Sequence, residues 1–581
     1  MNLEQDFPHL ALAAQAGPEP TLQRTVVPPV AILRASGAAD PQGVITGQTP
    51  AVLKGVAHVI VDFGRELVGF LDIVASSDNS AEMIVTYGES AEEACDTDGS
   101  CDNCSWFHLP EDKHRVAGPA RAYRHEGRRA FQFVHIRTAS PDASIRLHSL
   151  AMTLVHYPVV ERGSFSSSDP LINRIWDLNR YTTMLCMQRF YEDGIKRDGL
   201  LWVSDYRQQF LAGWTPFGDA ALARRSLILF AASQMANGFI PASAAAAGAH
   251  QHTDAGFVAP EGISYMPNIP FTYGTHKMLL IHYSTDYLSC LLDYVMYTGD
   301  KALLDFLWPT VERLVAAHET HDYPAGTGYS TEWNGWNSLG TMLMQVIAGL
   351  RNGERLAVLR GDDAIRARCH ALANRIQQRV QAEHWDAARG TFTDEPATQA
   401  NGSGSLHVNT FAILAGAVDR KTSRPLLDRA LAAGARQAEW SGMRMWQHAG
   451  EFEVGLATLA LQGIRKFWGF MLDHGSSTGW ESCDLKPDGG WHKPIISRCH
   501  GWGGTASYLL PRYVLGVHPT APGFARVTIR PQLGDLAWAK GVVPTPRGEI
   551  RIEMDAKAGG KVVVPAGIAV EASEGIEIVQ G

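Results

Sequence analysis

The hydrophobic period of this chain changes twice along its length, and those two changes constrain the fold more than any other feature. From about residue 25 to 160 apolar and polar residues alternate, as in HVIVDFG (58–64), LVGFLDIVA (67–75), AEMIVTYGE (81–89), FQFVHIRTA (131–139) and SIRLHSLAMTLVHY (144–157). A period of two puts successive side chains on opposite faces of a strand. Gly, Ser and Asp clusters separate the runs, and short strands punctuated in this way predict a β-sandwich. Pro158 closes the run.

After SFSSSDP (164–170) the period becomes helical. Ser168 or Asp169 is expected to cap the first helix, with Pro170 in its first turn. Ile172, Ile175, Trp176, Leu178 and Met184 then form a broad apolar stripe. Further helices are predicted near 205–217, 219–236, 276–298, 301–318, 337–360, 362–383, 405–418, 423–435, 450–472 and 501–515. In one of them Ile365, Cys369, Leu372, Ile376 and Val380 recur at amphipathic spacing. Paired helices with irregular connections predict a closed toroid. Past Pro519 the period returns to two in FARVTIRPQ (524–532), TPRGEIRIEMDA (545–556) and KVVVPAG (561–567). The expected plan is a multidomain chain: a tail over 1–20, an N-terminal β-sandwich over 21–160, a helical barrel over 161–516 and a small C-terminal β-sandwich over 517–581.

Composition removes several function classes. A net charge of −9 gives no electrostatic footprint for nucleic acid. No apolar run reaches the length of a membrane span, and the N-terminus lacks the basic and apolar regions of a secretory signal, so a cytoplasmic protein is expected. Of eight cysteines, five are scattered in apolar surroundings and read as reduced, buried thiols. The others sit in CDTDGSCDNCSWFH, where Cys95, Cys101, Cys104 and His108 would close a tetrahedral zinc site, or else form an insertion loop with free thiols. No HExxH pattern or phosphate-binding loop is present, and His252 with Asp254 is too sparse to define a metal site. No cofactor and no catalytic metal are expected.

The chemistry concentrates in YEDGIKRDGLLWVSDYR (191–207), which packs Asp193, Asp198 and Asp205 with Lys196, Arg197 and Trp202. Spacings of 5 and 7 between the acids fit no single helix stripe, and Gly194 and Gly199 interrupt the segment. A loop entering a helix near Trp202 is expected, with acids converging on a pocket. Carboxylates accept hydrogen bonds from sugar hydroxyls, and an indole stacks on the C–H face of a sugar ring. A surface ion network is the alternative.

Long predicted loops repeat the same pairing of acids and aromatics. These are 319–336 with Glu332, Trp333 and Trp336; 436–449 with Trp440, Arg444, Trp446 and His448; and 473–502 with Trp480, Glu481, Trp491, His492, His500 and Trp502. A further loop, 251–271, offers His252, Asp254, Glu261 and Tyr265. A toroid gathers such loops at one mouth, where a carbohydrate cleft would form. Each single Trp has a core position as its alternative. Glycoside hydrolysis needs two carboxyl groups across the scissile bond, and Asp198 with Glu481 is the expected pair. Asp198 would have to stay protonated, which requires burial or a neighbouring anion such as Asp193 or Asp205; Arg197 facing it would act in the opposite sense.

Five stretches together resemble glycoside hydrolase family 78, the α-L-rhamnosidases of the six-hairpin (α/α)6-barrel group. They are VDFGRELVGFLDI (61–73), DGIKRDGLLWVSD (193–205), STGWES (477–482), SRCHGWGG (497–504) and PGFARVTIRPQLGDLAWAKGVVPTPRGEI (522–550). The resemblance runs in order through most of residues 55–560. It implies an (α/α)6 barrel flanked by β-domains, an inverting mechanism, Glu481 as the water-activating base, and a rhamnose surrounded by Asp193, Arg197, Asp198, Trp202, Asp205 and His500. One departure stands out. The common pattern places the general-acid Glu directly after Arg-Asp, whereas Gly199 follows Asp198 here in a loop one residue shorter. Asp198 is the substitute acid by proximity, with Asp193 and Asp205 as rivals. The expected activity is an exo-acting, inverting α-L-rhamnosidase taking a small carbohydrate substrate; a homodimer is allowed for. Two other readings stay open: a related six-hairpin enzyme on another sugar (unsaturated uronyl hydrolase, other deoxyhexosidase or polysaccharide lyase), or a carbohydrate-binding homologue lacking its acid.

Overall fold

The structure, a computed structural model, describes residues 12, 14–96, 111–196, 199–244, 279–323, 338–398, 404–483 and 497–581, and the backbone alone of 251–253 and 256–258. The N-terminal region is a sheet of six strands: β1 (Gln23–Val27), β2 (Ala31–Ala39), β3 (Ala51–Gly88), β4 (Asp112–Tyr123), β5 (Arg129–Thr138) and β6 (Ser144–His156). β3 organises it. Where alternation predicts separate strands, the chain runs as one extended ribbon of 38 residues that folds back over its own sheet. Residues 57–62 and 84–88 of β3 both pair with β5, while 69–76 pair with β6. Register shifts between Asp62 and Leu67 and between Gly69 and Ile84 bend the ribbon. Val59, Val61, Leu67, Met83, Val85, Phe131 and Val134 close the core between its layers.

Among the described residues, twelve helices follow in six hairpins. The first of each pair forms an outer ring: α1 (Pro170–Cys186), α3 (Ala221–Ala232), α5 (Lys301–Glu319), α7 (Asp363–His384), α9 (Arg420–Ala432) and α11 (Ala457–Asp473). The second of each forms an inner ring: α2 (Val203–Phe217), α4 (Ile281–Thr298), α6 (Leu339–Arg360), α8 (Leu406–Leu414), α10 (Ser441–Glu453) and α12 (Ala506–Leu509, continued by a π turn Leu510–Val514). α2 packs on α4, α4 on α6, α6 on α8, α8 on α10, α10 on α12 and α12 on α2, which closes the ring. Asp169, one of the two expected caps, starts α1: its Oδ1 accepts Leu171 N–H at 2.8 Å, and its Oδ2 holds Arg465 Nε at 2.6 Å.

One expected loop is a helix. The stretch 436–449, read as a functional loop, contains most of α10, so Arg444, Trp446 and His448 are helical. α10 lies inside the ring and is covered on nearly every side; Met443, Met445, Gln447, His448 and Glu451 are all buried. Its buried surface includes Arg444, Gln447, His448 and Glu451, and such polar residues read in sequence as those of a functional loop.

The C-terminal region packs a three-stranded sheet, β8 (Val517–Ala521), β9 (Arg526–Ile529) and β13 (Ala569–Ala572), against a five-stranded one. The latter runs β14 (Ile576–Gln580), β12 (Gly559–Val564), β11 (Gly548–Asp555), β10 (Trp538–Thr545) and β7 (Ser164–Ser167). β7 comes from the linker before α1, so the first helix starts on the last domain. Trp214 of α2 fixes the same junction by donating from Nε1 to Pro544 O at 2.9 Å. We propose domain limits near residues 160 and 516, with β7 as a strand lent by the barrel region across the second of them.

Candidate active site

The site forms where the N-terminal ends of α2 and α10 meet the segments 193–196, 199–202, 477–483 and 497–504. Asp193 is held by its neighbours. Its N–H donates to Leu200 O at 3.0 Å, its Oδ1 accepts Leu200 N–H at 2.8 Å, and its carbonyl accepts Gly501 N–H at 2.6 Å. Gly199 makes this return possible with φ of 61°, in the left-handed region. Gly194 bridges to His500, which sets the two segments side by side. Asp205 lies in the first turn of α2, where exposed backbone N–H groups favour a carboxylate.

Glu481 is fixed through its backbone. Its N–H donates to Ser497 O at 3.0 Å, and its carbonyl accepts Ser441 N–H at 3.0 Å and Trp502 Nε1–H at 2.9 Å. The Glu481 segment can lie this close to the 501–504 turn only because Gly479 faces Gly503: a Cβ on Gly479 would stand 2.2 Å from Gly503 O.

These anchors converge on one imidazole. His500 Nε2 lies 3.7 Å from Asp193 Oδ2, 3.9 Å from Asp205 Oδ1 and 3.9 Å from Glu481 Oε1, and all four side chains are buried. The separations exceed a direct hydrogen bond. The His500 ring lies at 4.4 Å on Trp502, which itself meets Trp440 edge-on at 5.8 Å. Tyr283 donates to Asp205 Oδ2 at 3.4 Å. Burial first, then Asp205, pushes the Tyr283 phenol well above its ordinary range, so it remains a donor. Its ring packs against Trp202 and against His282, whose pKa burial lowers to about 3. The result is a set of acidic acceptors walled by aromatic rings. Ionised carboxylates only accept hydrogen bonds, so a polyhydroxylated ligand is their natural complement.

The remaining predicted residues divide into three groups. Trp202 and Trp440 line the cluster. Trp446 lies deeper in the ring, with the Arg207 guanidinium 4.7 Å above its face. Trp480 does not share the face of Glu481: it is fully buried, packs on Phe470 and His474, and donates from Nε1 to Ser476 Oγ at 2.9 Å. Adjacent side chains of an extended segment project to opposite sides, so Glu481 pointing inward sends Trp480 into the wall behind. Arg197, Asp198, Glu332, Trp333, Trp336 and Trp491 lie outside the described residues, as do Cys101, Cys104 and His108 of the zinc reading. Among the described residues no group of three or more His, Cys, Asp or Glu is arranged to hold a metal ion. Tyr283 was not foreseen, because from α4 its phenol looks like any core aromatic.

The family model for the bacterial alpha-L-rhamnosidase 6 hairpin glycosidase domain matches residues 160–514, and that for the bacterial alpha-L-rhamnosidase C-terminal domain matches 516–571. The chain belongs to this rhamnosidase family. It is 34% identical over 111 residues to an alpha-L-rhamnosidase of Alteromonas sp. (strain LOR), a match covering 18% of this chain and 12% of that one. It is 28% identical over 99 residues to one of Streptomyces avermitilis, covering 16% and 10%. The match thus spans about an eighth or less of either curated relative's length. Among solved structures, the GH78 family rhamnosidase of Bacillus sp. GL1 is similar at a TM-score of 0.76 and 22% identity, over 93% of this chain and 57% of that one. The rhamnosidase from Klebsiella oxytoca with rhamnose bound is similar at 0.72 and 22%, over 87% and 98%. At these identities the structures speak to the fold, which is that of the rhamnosidase barrel with its flanking β-domains. Among the described residues no helix is long and apolar enough to cross a membrane.

Proposed function

We propose that the protein is an exo-acting α-L-rhamnosidase that releases terminal rhamnose from small glycosides or oligosaccharides with inversion. The observation that carries this reading is the convergence of Asp193, Asp205 and Glu481 on His500 beneath Trp202, Trp440 and Trp502. Glu481 is the general base: it takes a proton from the water that attacks the anomeric carbon. Asp198 gives a proton to the leaving oxygen, and the bond to the aglycone breaks as the bond to water forms. Asp193, Asp205 and Tyr283 hold the sugar hydroxyls. The buried free thiols of Cys186, Cys290, Cys369 and Cys499 support a reducing, cytoplasmic setting.

Hydrolysis of aryl α-L-rhamnosides by the wild type and by Glu481→Ala tests the assignment. Loss of turnover in the variant is expected, with the β-anomer as the wild type's first product by NMR; equal rates remove Glu481 from the mechanism. For inversion, a rhamnose complex should put the Asp198 and Glu481 carboxyls roughly 6.5–9.5 Å apart, whereas about 5 Å indicates retention. Gly199, standing where the family pattern has its acid, favours a second reading: a sugar-binding protein without turnover. Tight rhamnose binding with no hydrolysis across a panel of rhamnosyl and unsaturated uronyl substrates would select it.

A further inference from the structure

Behind the site lies a second charged cluster, contributed by the N-terminal β-domain. Glu89 directly follows β3, and Glu93 follows within the short helix Ala91–Cys95. Glu89 reaches two segments of the barrel at once. Its Oε2 lies 2.6 Å from Lys196 Nζ and accepts Arg498 N–H at 2.8 Å. Its Oε1 accepts Cys499 N–H at 3.2 Å and Ser497 Oγ–H at 3.1 Å. Lys196 stands between Asp193 and Asp198, and Arg498 and Cys499 directly precede His500. Glu93 supports the pair from behind: its Oε1 lies 2.8 Å from Lys196 Nζ, and its Oε2 accepts Glu89 N–H at 3.0 Å. Glu66, from the bend in β3, donates its backbone N–H to Ser477 Oγ at 2.8 Å, at the start of the base segment.

Glu66, Glu89, Glu93, Lys196, Ser497 and Cys499 are buried, and Ser477 and Arg498 are half-buried. As a stabiliser such a network is a poor choice, because desolvation offsets much of the Coulomb attraction and well-packed apolar side chains serve as well. Fixed direction and distance are what an ion pair with satisfied lone pairs supplies and an apolar contact does not. We infer that Glu89 is a positioning residue that sets the spacing between the Asp193 segment and the His500 segment, making the β-domain part of the site's machinery. The inference rests on the proposed rhamnosidase reading and adds to it a role for a domain outside the barrel.

Glu89→Gln and Glu93→Gln in the full chain provide the test. Each removes one carboxylate from Lys196, but only Glu89 touches the segment leading to His500. Similar losses in thermal midpoint are expected, together with a kcat at least about 10-fold lower in Glu89→Gln than in Glu93→Gln and KM within about threefold of wild type. Equal kcat at equal midpoints overturns the inference. Deuterium exchange of the peptide spanning 497–501 reads the same clamp without turnover. Faster exchange in Glu89→Gln alone supports it; unchanged exchange overturns it, even if the wild type hydrolyses no rhamnoside, an outcome that counts only against the proposed function. Should Glu89→Gln not fold, Ser497→Ala removes one hydrogen bond to the same carboxylate. About a threefold fall in kcat is then expected, and an unchanged kcat with unchanged exchange overturns the inference.

Discussion

Two acidic clusters sit back to back, each gathered around one nitrogen base, and they differ in tightness. Around Lys196 the carboxylates of Glu89 and Glu93 close to 2.6 and 2.8 Å. Around His500 the carboxylates of Asp193, Asp205 and Glu481 stand at 3.7 to 3.9 Å. The first distances are those of charge-assisted hydrogen bonds; the second are longer than a direct hydrogen bond. Burial works against the Lys196 ammonium, yet Glu89 and Glu93 outweigh it and its pKa is raised, so the lysine stays charged. Burial, then Glu89, drives the Glu66 carboxyl well above its ordinary range, which keeps the rear cluster from carrying a further negative charge. The comparison teaches that acid content does not define a site. Tightness separates a cluster that fixes backbone segments against one another from one that we propose to hold a ligand.

The largest test of that contrast is at Glu481. Glu481→Gln keeps the shape of the front cluster and removes the proposed base, so kcat on aryl α-L-rhamnosides should fall by about 10²–10⁴ with the thermal midpoint little changed. At the rear the signs reverse. Lys196→Met leaves buried carboxylates uncompensated and should lower unfolding free energy by about 3–5 kcal/mol in a denaturant titration. Stability unaffected by Lys196→Met would break the contrast. A smaller effect belongs to Tyr283→Phe, which removes one donor to Asp205; rhamnose affinity by calorimetry should weaken by about 0.5–1.5 kcal/mol.

The smallest effect is a slope. Because the folded Glu66 pKa lies above its unfolded value, the folded state binds that proton more tightly. The stability it contributes is fully present below the ordinary glutamate pKa and is lost as pH rises through the folded pKa. Glu66→Gln should therefore gain on the wild type as pH rises from the ordinary glutamate value of 4.5 upward. Unfolding curves taken in steps of pH check this, and parallel curves would show Glu66 to be ionised in the folded protein.

Much of the outer architecture was legible because it faces water on one side. α7 shows its buried face as Ile365, Cys369, Leu372, Ile376 and Val380, since solvent selects polar residues for the other face. α10 buries Arg444, Gln447, His448 and Glu451, so its polar residues do not mark a solvent face, and the stretch reads as a loop. The aromatic residues were misleading for a related reason. Trp480 and Trp440 lie near the same backbone turn, yet one supports the wall and the other meets Trp502 beside the site. An indole suits a dry core and a sugar face equally well, so composition does not separate them. Glu89 gave no signal at all, because the end of an alternating strand carries no mark of what it will touch.

By itself the sequence determined the order of strand, helix and strand regions and the segments that carry Asp193, Asp205, Glu481 and His500, because period and local motif act over a few residues. Only the tertiary structure decided that the three acids meet at the His500 imidazole and that a carboxylate from the first domain braces two of these segments. Those contacts join residues up to 410 positions apart, as between Glu89 and Cys499. Chain closure over such a span leaves no local pattern to read, and the direction of each side chain is set by the packing of the rings and sheets that carry it.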